Sequence, residues 1–143
     1  WSPQVLGPVL CVAARADGVY IGGSFTNVSG VARTNAARVD IATGAATSWN
    51  PAPNGFVGAM AVSGNSLYLG GGFTKMGNEP RLRLAAFAAD TGLLSDWGPD
   101  ASGGPSPQIN AISVADGVVY VGGTFTAVGG QFFQIRNALF VQI

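Results

Sequence analysis

The chain has 143 residues, of which 48% are hydrophobic and 10% are charged, and seven basic residues balance seven acidic ones. A chain without net charge has no long-range field to attract nucleic acid or an anionic membrane surface, so we expect neither partner. Its apolar runs are shorter than the roughly 18 residues of a membrane span, so we expect no membrane insertion either. The scarcity of charge and the many small polar residues favour an extracellular or cell-surface location.

The first residue, Trp1, belongs to a motif that returns twice. Trp49 and Trp97 follow at intervals of 48 residues, and each tryptophan has a proline two positions later. A fixed period of this length indicates a repeat architecture, in which each copy is one structural unit. We therefore divide the chain into unit 1 (1–48), unit 2 (49–96) and unit 3 (97–143).

Within each unit the pattern predicts short β-strands. In unit 1 an apolar strand reaches the turn Asp17-Gly18, and a second strand carries the motif Gly-Gly-x-Phe-Thr. A third strand (36–40), a Thr43-Gly44 turn and a fourth strand follow. Turn pairs of this kind supply positive φ angles for tight hairpins. Unit 2 repeats this order, and unit 3 repeats it without the last turn and strand. Four short antiparallel strands in about 48 residues are typical of a β-propeller blade.

Two recurring features are expected to pack neighbouring blades together. The Gly-Gly pair leaves room for backbones to approach around a central channel. The phenylalanine that follows it and the tryptophan of each unit would fill the space between blades, where aromatic burial is the largest packing contribution. These structural positions are Trp1, Trp49, Trp97, Phe25, Phe73 and Phe125.

Gly-Gly-x-Phe-Thr, present three times with Trp-x-Pro and Thr-Gly, resembles the bacterial β-propeller repeats of unknown function called delta-60 repeats. Kelch repeats, which pair Gly-Gly with tryptophan without Phe-Thr, are the second resemblance. The first covers essentially the whole chain and implies a propeller of large secreted or surface proteins, with no catalytic residues to transfer. Three blades are fewer than the four to eight that close a ring. The expected partners are therefore the rest of a longer chain or further copies of this one.

No catalytic centre, metal site or cofactor is predicted. The chain has no histidine, so a Ser-His-Asp or Cys-His centre cannot form within it. Its single cysteine, Cys11, has apolar neighbours and is interpreted as a buried structural thiol. Four of the seven carboxylates occupy turns: Asp17, Asp40, Asp90 and Asp116.

Candidate interaction residues lie where the repeat is broken or where side chains cluster. Unit 3 has four additional residues within 102–107, and two phenylalanines stand where the other units have polar loop residues. Two carboxylates flank Trp97 and would offer an acidic pair, a weak calcium site or the paired acids of a glycosidase. Three recurring arginines, Arg33, Arg83 and Arg136, would hydrogen-bond between blades or grip an anion. The candidate interaction surface is Ser102, Gly103, Gly104, Asp96, Asp100, Phe132 and Phe133.

The sequence thus favours a non-catalytic structural or binding module of a secreted or cell-surface bacterial protein, with a protein or glycan ligand. Two alternatives stay open. One is a carbohydrate-binding, lectin-like propeller that uses loop aromatic and asparagine side chains. The other is a self-assembling oligomer or filament subunit whose open blade faces join copies end to end.

Overall fold

The computed structural model describes residues 1–132 and 139–142. Within them every regular element is a β-strand and every strand pair is antiparallel, which confirms the all-β prediction. Among these residues there is no helix long and apolar enough to span a bilayer. The strands are β1 (Val5–Leu6), β2 (Val9–Arg15), β3 (Gly18–Gly23), β4 (Asn27–Val28), β5 (Val31–Ala32), β6 (Ala36–Val39), β7 (Val57–Ser63), β8 (Ser66–Gly71), β9 (Lys75–Met76), β10 (Glu79–Pro80), β11 (Leu84–Ala88), β12 (Ala101–Ser102), β13 (Ile109–Ala115), β14 (Val118–Gly123), β15 (Ala127–Val128), β16 (Gln131–Phe132) and β17 (Leu139–Gln142).

Each unit contributes one principal three-stranded sheet. The strand orders are β2-β3-β6, β7-β8-β11 and β13-β14-β17, so the strand that carries the Gly-Gly pair is central each time. The first strand has a register shift at the same place in all three sheets, for example between Val57 and Ala59. A bulge of this kind bends the strand and leaves one residue unpaired. The three copies therefore repeat in backbone detail as well as in sequence.

The predicted fourth strand of units 1 and 2 is reduced to a single bridge, Val39 to Ala46 in unit 1 and Phe87 to Leu94 in unit 2. In unit 1 the preceding turn is held by Asp40, whose Oδ1 accepts hydrogen bonds from the Thr43 backbone N–H and hydroxyl, both at 2.7 Å. The returning segment then pairs only briefly before the chain leaves for Trp49. The prediction of a fourth short strand in these units was therefore wrong, because the residues between the turn and the next tryptophan are too few for more than one bridge.

Short pairings flank the principal sheets. The Phe-Thr motif is followed by a two-residue hairpin in every unit: β4–β5, β9–β10 and β15–β16. The segment after each tryptophan returns to pair with that hairpin, as β1, as β12, or through the single bridge from Pro53 to Met76. The hairpin and the tryptophan segment of one unit are thus held at one end of its sheet.

The residues whose burial is described form three apolar clusters, of which two are shared between neighbouring units. Leu67 and Leu69 of β8 pack with Tyr20 of unit 1, whereas Tyr68, on the opposite face of the same strand, packs with Ile109 of unit 3. We call the face of Leu67 and Leu69 the near side of a unit and the face of Tyr68 its far side. The third cluster, around Phe25, contains the near side of unit 1 alone.

Candidate functional site

The Gly-Gly pairs of units 1 and 2 lie where one unit meets the next. A Cβ atom added to Gly22 would lie 2.7 Å from Val57 Cγ1 and 3.0 Å from Met60 Cε, both in unit 2. A Cβ atom on Gly70 would meet Ile109 at its Cβ, 2.8 Å away, and Ile112 Cδ1 at 2.9 Å, both in unit 3. Real Cβ atoms are essentially never found within 3.0 Å of another such atom, so Gly22 and Gly70 are sockets for apolar side chains of the following unit.

The second glycine of each pair has a different neighbour. A Cβ atom on Gly23, Gly71 or Gly123 would collide with a backbone carbonyl oxygen of the same unit, that of Pro8, Phe56 or Gln108 respectively. This glycine therefore permits a close backbone approach inside the bulged hairpin. One glycine shapes the contact between units, and the other shapes the sheet of its own unit.

Trp49 and Trp97 lie at the same junctions, whereas Trp1 does not. The Trp49 ring packs edge-to-face between Tyr20 of unit 1, at 5.1 Å, and Phe87 of unit 2, at 5.3 Å. Trp97 packs against Tyr68 of unit 2 at 5.0 Å in the same geometry. Trp1 is 65% exposed, and its indole N–H donates to the Asp40 carbonyl oxygen at 3.0 Å. The phenylalanines of the motif, Phe25, Phe73 and Phe125, are buried, one in each apolar cluster.

Asn35 and Arg83 hydrogen-bond across the junctions, and sequence reasoning did not recognise them as a pair. Asn35 Nδ2 donates to the Pro53 carbonyl oxygen at 3.1 Å. Arg83 Nε donates to Pro107 O at 2.7 Å, and Arg83 Nη1 donates to Ala101 O at 2.8 Å. The two residues are 48 apart, and both have left-handed φ angles, 62° and 72°. Such a conformation is costly for a non-glycine residue, and the bonds to the next unit offset that cost.

The three arginines predicted as one recurring set have different roles. Arg33 corresponds to Arg81: in each, Nη1 donates to the preceding carbonyl and Nη2 donates to a carbonyl of the same unit, Thr47 O or Ser95 O. Arg83 occupies the position of Asn35, and Arg136 lies outside the described residues. Arg33 and Arg83 are therefore not members of one ring.

Cys11 lies at the junction of units 1 and 2. Its Sγ is 3.6 Å from the Val57 carbonyl oxygen and packs against the cluster shared by these units. Burial raises the pKa of the thiol to about 11, although a backbone hydrogen bond from Gly22 acts in the opposite direction. A thiol with this pKa is almost wholly protonated at neutral pH and is a poor nucleophile.

A polar cleft of about 370 Å³ opens between units 1 and 2, beside the partly exposed ring of Trp49. Its walls also include Arg38 and Asp90, which carry opposite charges. Arg38 is held by an ion pair with Asp17 at 2.8 Å and lies over the Tyr20 ring. The Asn65 side chain and the Thr91 backbone N–H lower the pKa of Asp90, so its carboxylate is ionised at neutral pH. The cleft is therefore polar, aromatic on one wall and balanced in charge.

The inserted loop of unit 3 is anchored at both ends. Ser102 pairs with Ala127, and its carbonyl oxygen accepts from the Thr126 backbone N–H. The Thr124 hydroxyl donates to Ser106 O at 2.7 Å. Gly103 and Gly104 both have left-handed φ angles, 79° and 82°, which explains glycine at these positions. The loop residues 102–106 are exposed, as a candidate interaction surface requires.

The other candidate interaction residues are not gathered at this loop by any described contact. Asp96 and Asp100 are both exposed. Among the described residues no group of three histidine, cysteine, aspartate or glutamate side chains is arranged to hold a metal ion. Phe132 ends β16, where its backbone pairs with Ala127, and Phe133 lies outside the described residues.

The near side of unit 1 is open, unlike the near sides of units 2 and 3. Of the eight large apolar side chains most exposed among the described residues, five fall within residues 1–12: Trp1, Leu6, Val9, Leu10 and Val12. Met60, which corresponds to Val12 in unit 2, is 9% exposed, whereas Val12 is 58% exposed. The same type of surface is thus buried on unit 2, where it contacts unit 1, and exposed to solvent on unit 1.

No protein-family model matches the chain, and neither does any curated protein. Among solved structures, the crystal structure of the computationally designed Ika8 protein is similar, with a TM-score of 0.49 and 14% sequence identity. The similarity covers 85% of this chain and 45% of the designed protein, so this chain spans less than half the length of that one.

Proposed function

We propose that the three units are neighbouring blades of a β-propeller of the delta-60-repeat type, and that the chain is a non-catalytic structural or binding module of a secreted or cell-surface protein. The observation that carries the proposal is a junction made twice from corresponding residues. Val57 lies on Gly22 as Ile109 lies on Gly70, and Trp49 lies on Tyr20 as Trp97 lies on Tyr68. Repeated side-by-side packing of small antiparallel sheets is the packing mode of propeller blades.

The roles of the polar residues support a module without catalysis. Asp40 caps a turn, Asp90 binds the backbone of Thr91, and Asp17 pairs with Arg15 and Arg38. The chain has no histidine to act as a general base. The interactions of these three carboxylates thus stabilise turns and an ion pair at the surface.

Two measurements on source cells test the proposal. An antibody against this chain should detect it in the secreted or envelope fraction, in a polypeptide or assembly that contains four to eight units, the range in which propellers close. A cytosolic location would contradict the extracellular assignment. A particle of only three units, folded and monomeric in its native extract, would contradict the propeller.

The cleft beside Trp49 favours a second candidate function, the binding of a neutral saccharide. Its volume is within the range of small-molecule sites, about 300–1,000 Å³. Asn50 and Thr91 provide hydrogen-bonding groups, and Trp49 provides an apolar wall against which sugar C–H groups would pack. The opposite charges of Arg38 and Asp90 favour an uncharged polyhydroxylated ligand over an ion of either sign.

Calorimetric titration with a panel of neutral mono- and oligosaccharides tests this second function. Asn50→Ala should reduce any measured affinity at least about tenfold, since it removes a hydrogen-bonding amide. Asn110→Ala, an exposed asparagine on β13, is the matched control and should leave the affinity unchanged. Absence of heat with every sugar, or equal affinity in Asn50→Ala, would exclude the cleft as a saccharide site.

A further inference from the structure

We propose that Arg38 makes the cleft beside Trp49 specific for a neutral mono- or disaccharide, and that the junction of units 2 and 3 lacks this specificity because it has an alanine in place of the arginine. The proposal rests on the saccharide-binding function proposed above. It adds the residue that selects the ligand, the size of the ligand and a physical reason why one junction binds it.

The two junctions share the residues that pack one unit on the next. Trp49 packs on Tyr20 as Trp97 packs on Tyr68, with ring centroids 5.1 and 5.0 Å apart. Because these aromatic pairs recur, the contact between units accounts for them without any ligand. A site that is particular to one junction must therefore be made by positions at which the two junctions differ.

Position 38 is such a difference. Arg38 is paired with Tyr20 between β6 and β3, and Ala86 is paired with Tyr68 at the same place between β11 and β8. Ala86 is 3% exposed and belongs to the apolar cluster shared by units 2 and 3, whereas Arg38 is half-buried and lines the cleft. An alanine is thus sufficient beside a tyrosine on which the next tryptophan packs, so the packing does not require the arginine.

The guanidinium of Arg38 is already positioned by its own unit. Its Nη2 donates to Asp17 Oδ2 at 2.8 Å and to the Asp17 carbonyl oxygen at 2.7 Å. The guanidinium carbon lies 5.5 Å from the centroid of the Tyr20 ring. A donor held in this way loses little side-chain freedom when it binds a ligand. Because Asp17 balances its charge, Arg38 serves a ligand as a hydrogen-bond donor more than as a free positive charge.

Asp90, on the unit 2 wall of the cleft, supplies the complementary acceptor. Its Oδ1 accepts from the Thr91 backbone N–H at 2.7 Å, and its own backbone N–H donates to Asn65 Oδ1 at 3.0 Å. A sugar hydroxyl is both a donor and an acceptor, so one neutral sugar can accept from Arg38 and donate to Asp90.

The size of the cleft limits the ligand. Its volume of about 370 Å³ is at the lower end of the range of small-molecule sites. One or two sugar rings suit this volume better than a longer chain.

The test uses two substitutions of Arg38 and a matched control. Arg38→Ala copies the residue of the second junction, Ala86, and should therefore fold. Arg38→Met removes the donor but keeps a long stem over the Tyr20 ring, so it decides the outcome if Arg38→Ala does not fold. Lys75→Ala is the control, because it removes one positive charge from an exposed position outside the cleft. Circular dichroism would verify the fold of each variant.

Calorimetric titration would use glucose, galactose, mannose, N-acetylglucosamine, cellobiose, maltose and lactose. For the sugar that binds most tightly, both Arg38 variants should lower the affinity roughly tenfold to 100-fold, the worth of one hydrogen bond to a charged group. Lys75→Ala should leave the affinity unchanged. The uronic acid and the amino sugar of the same configuration should bind about tenfold more weakly than the neutral sugar, and a trisaccharide should bind no more tightly than the disaccharide.

Monodeoxy analogues of the same sugar identify the hydroxyl that Arg38 binds. One analogue should bind the unmodified chain roughly tenfold or more weakly than the parent sugar, because a site built to bind a hydroxyl rejects the ligand that lacks it. In Arg38→Ala the same analogue and the parent sugar should bind equally, since both partners of that hydrogen bond are then gone.

The outcomes separate this proposal from the one on which it rests. Unchanged affinity in both Arg38 variants, with Asn50→Ala still weakened, would overturn the role of Arg38 and leave the saccharide site in place. Tighter binding of the uronic acid or of the amino sugar would overturn the neutral class of ligand. An unmodified chain that binds none of the sugars would overturn the saccharide function and this proposal together, and the proposed propeller would stand.

Discussion

Replacing Trp49 with alanine should destabilise the chain far more than the same change at Trp1. Trp49→Ala removes two edge-to-face ring contacts, at 5.1 and 5.3 Å. Each such pair contributes about 0.5–1.5 kcal/mol beyond burial, and truncation of a core tryptophan costs about 3–5 kcal/mol. Because Trp49 exposes part of its ring to the cleft, we expect a loss of about 3 kcal/mol in the free energy of unfolding, at the lower end of that range.

The other two tryptophans are internal controls. Trp97 has one described ring contact, at 5.0 Å, so Trp97→Ala should cost about 2 kcal/mol. Trp1 is 65% exposed and has one indole hydrogen bond, so Trp1→Ala should cost at most about 1 kcal/mol. Urea unfolding followed by far-ultraviolet circular dichroism measures all three. Equal losses at Trp1 and Trp49 would refute the assignment of Trp49 to a packed junction.

Three further predictions address the same junctions. Gly70→Val should lower the free energy of unfolding by about 1–3 kcal/mol through overpacking against Ile109, and an unchanged urea midpoint would contradict the socket. Alkylation of native Cys11 should keep accelerating up to about pH 11, and a plateau near the ordinary value of 9.0 would show that the thiol is not buried. Because the folded pKa is the higher one, the contribution of this thiol to stability is complete below pH 9.0 and is lost as the pH rises to about 11. Arg83→Ala should accelerate hydrogen exchange of the 102–107 loop, since it removes the bonds to Pro107 and Ala101; unchanged exchange would mean that the loop is held without them.

The sequence was sufficient to predict that the regular elements are β-strands and to identify the positions that recur in each unit. Alternation of apolar and small residues around two-residue turns predicts β-strands. The 48-residue interval between tryptophans is visible in the sequence alone. The length of the fourth strand could not be predicted, because it depends on how many residues the Asp40 turn and the Trp49 segment consume. In both units that segment forms only one bridge.

Side-chain roles were harder to predict than strands. Arg33 and Arg83 were grouped because both precede the third strand, yet their hydrogen bonds show that Arg33 corresponds to Arg81 and Arg83 to Asn35. The signal was available in the spacing, since both true pairs are 48 residues apart. Left-handed backbone at Arg83 could not be anticipated, because arginine, unlike the asparagine at position 35, has no preference for it. Likewise, the cleft beside Trp49 joins residues far apart in the sequence.

The division of each unit into a near side of inserts and a far side of sockets has a consequence for how such chains can change length. A copied segment of one whole period brings both surfaces with it, so duplication or loss of a unit adds or removes a complete junction and requires no new complementary residues. The starting point of the copied segment is immaterial, provided that its length is one period. Chains of this kind can therefore gain or lose units by in-frame recombination, whereas a change of a few residues is accepted only in places such as the 102–107 loop, between the anchoring bonds of Arg83.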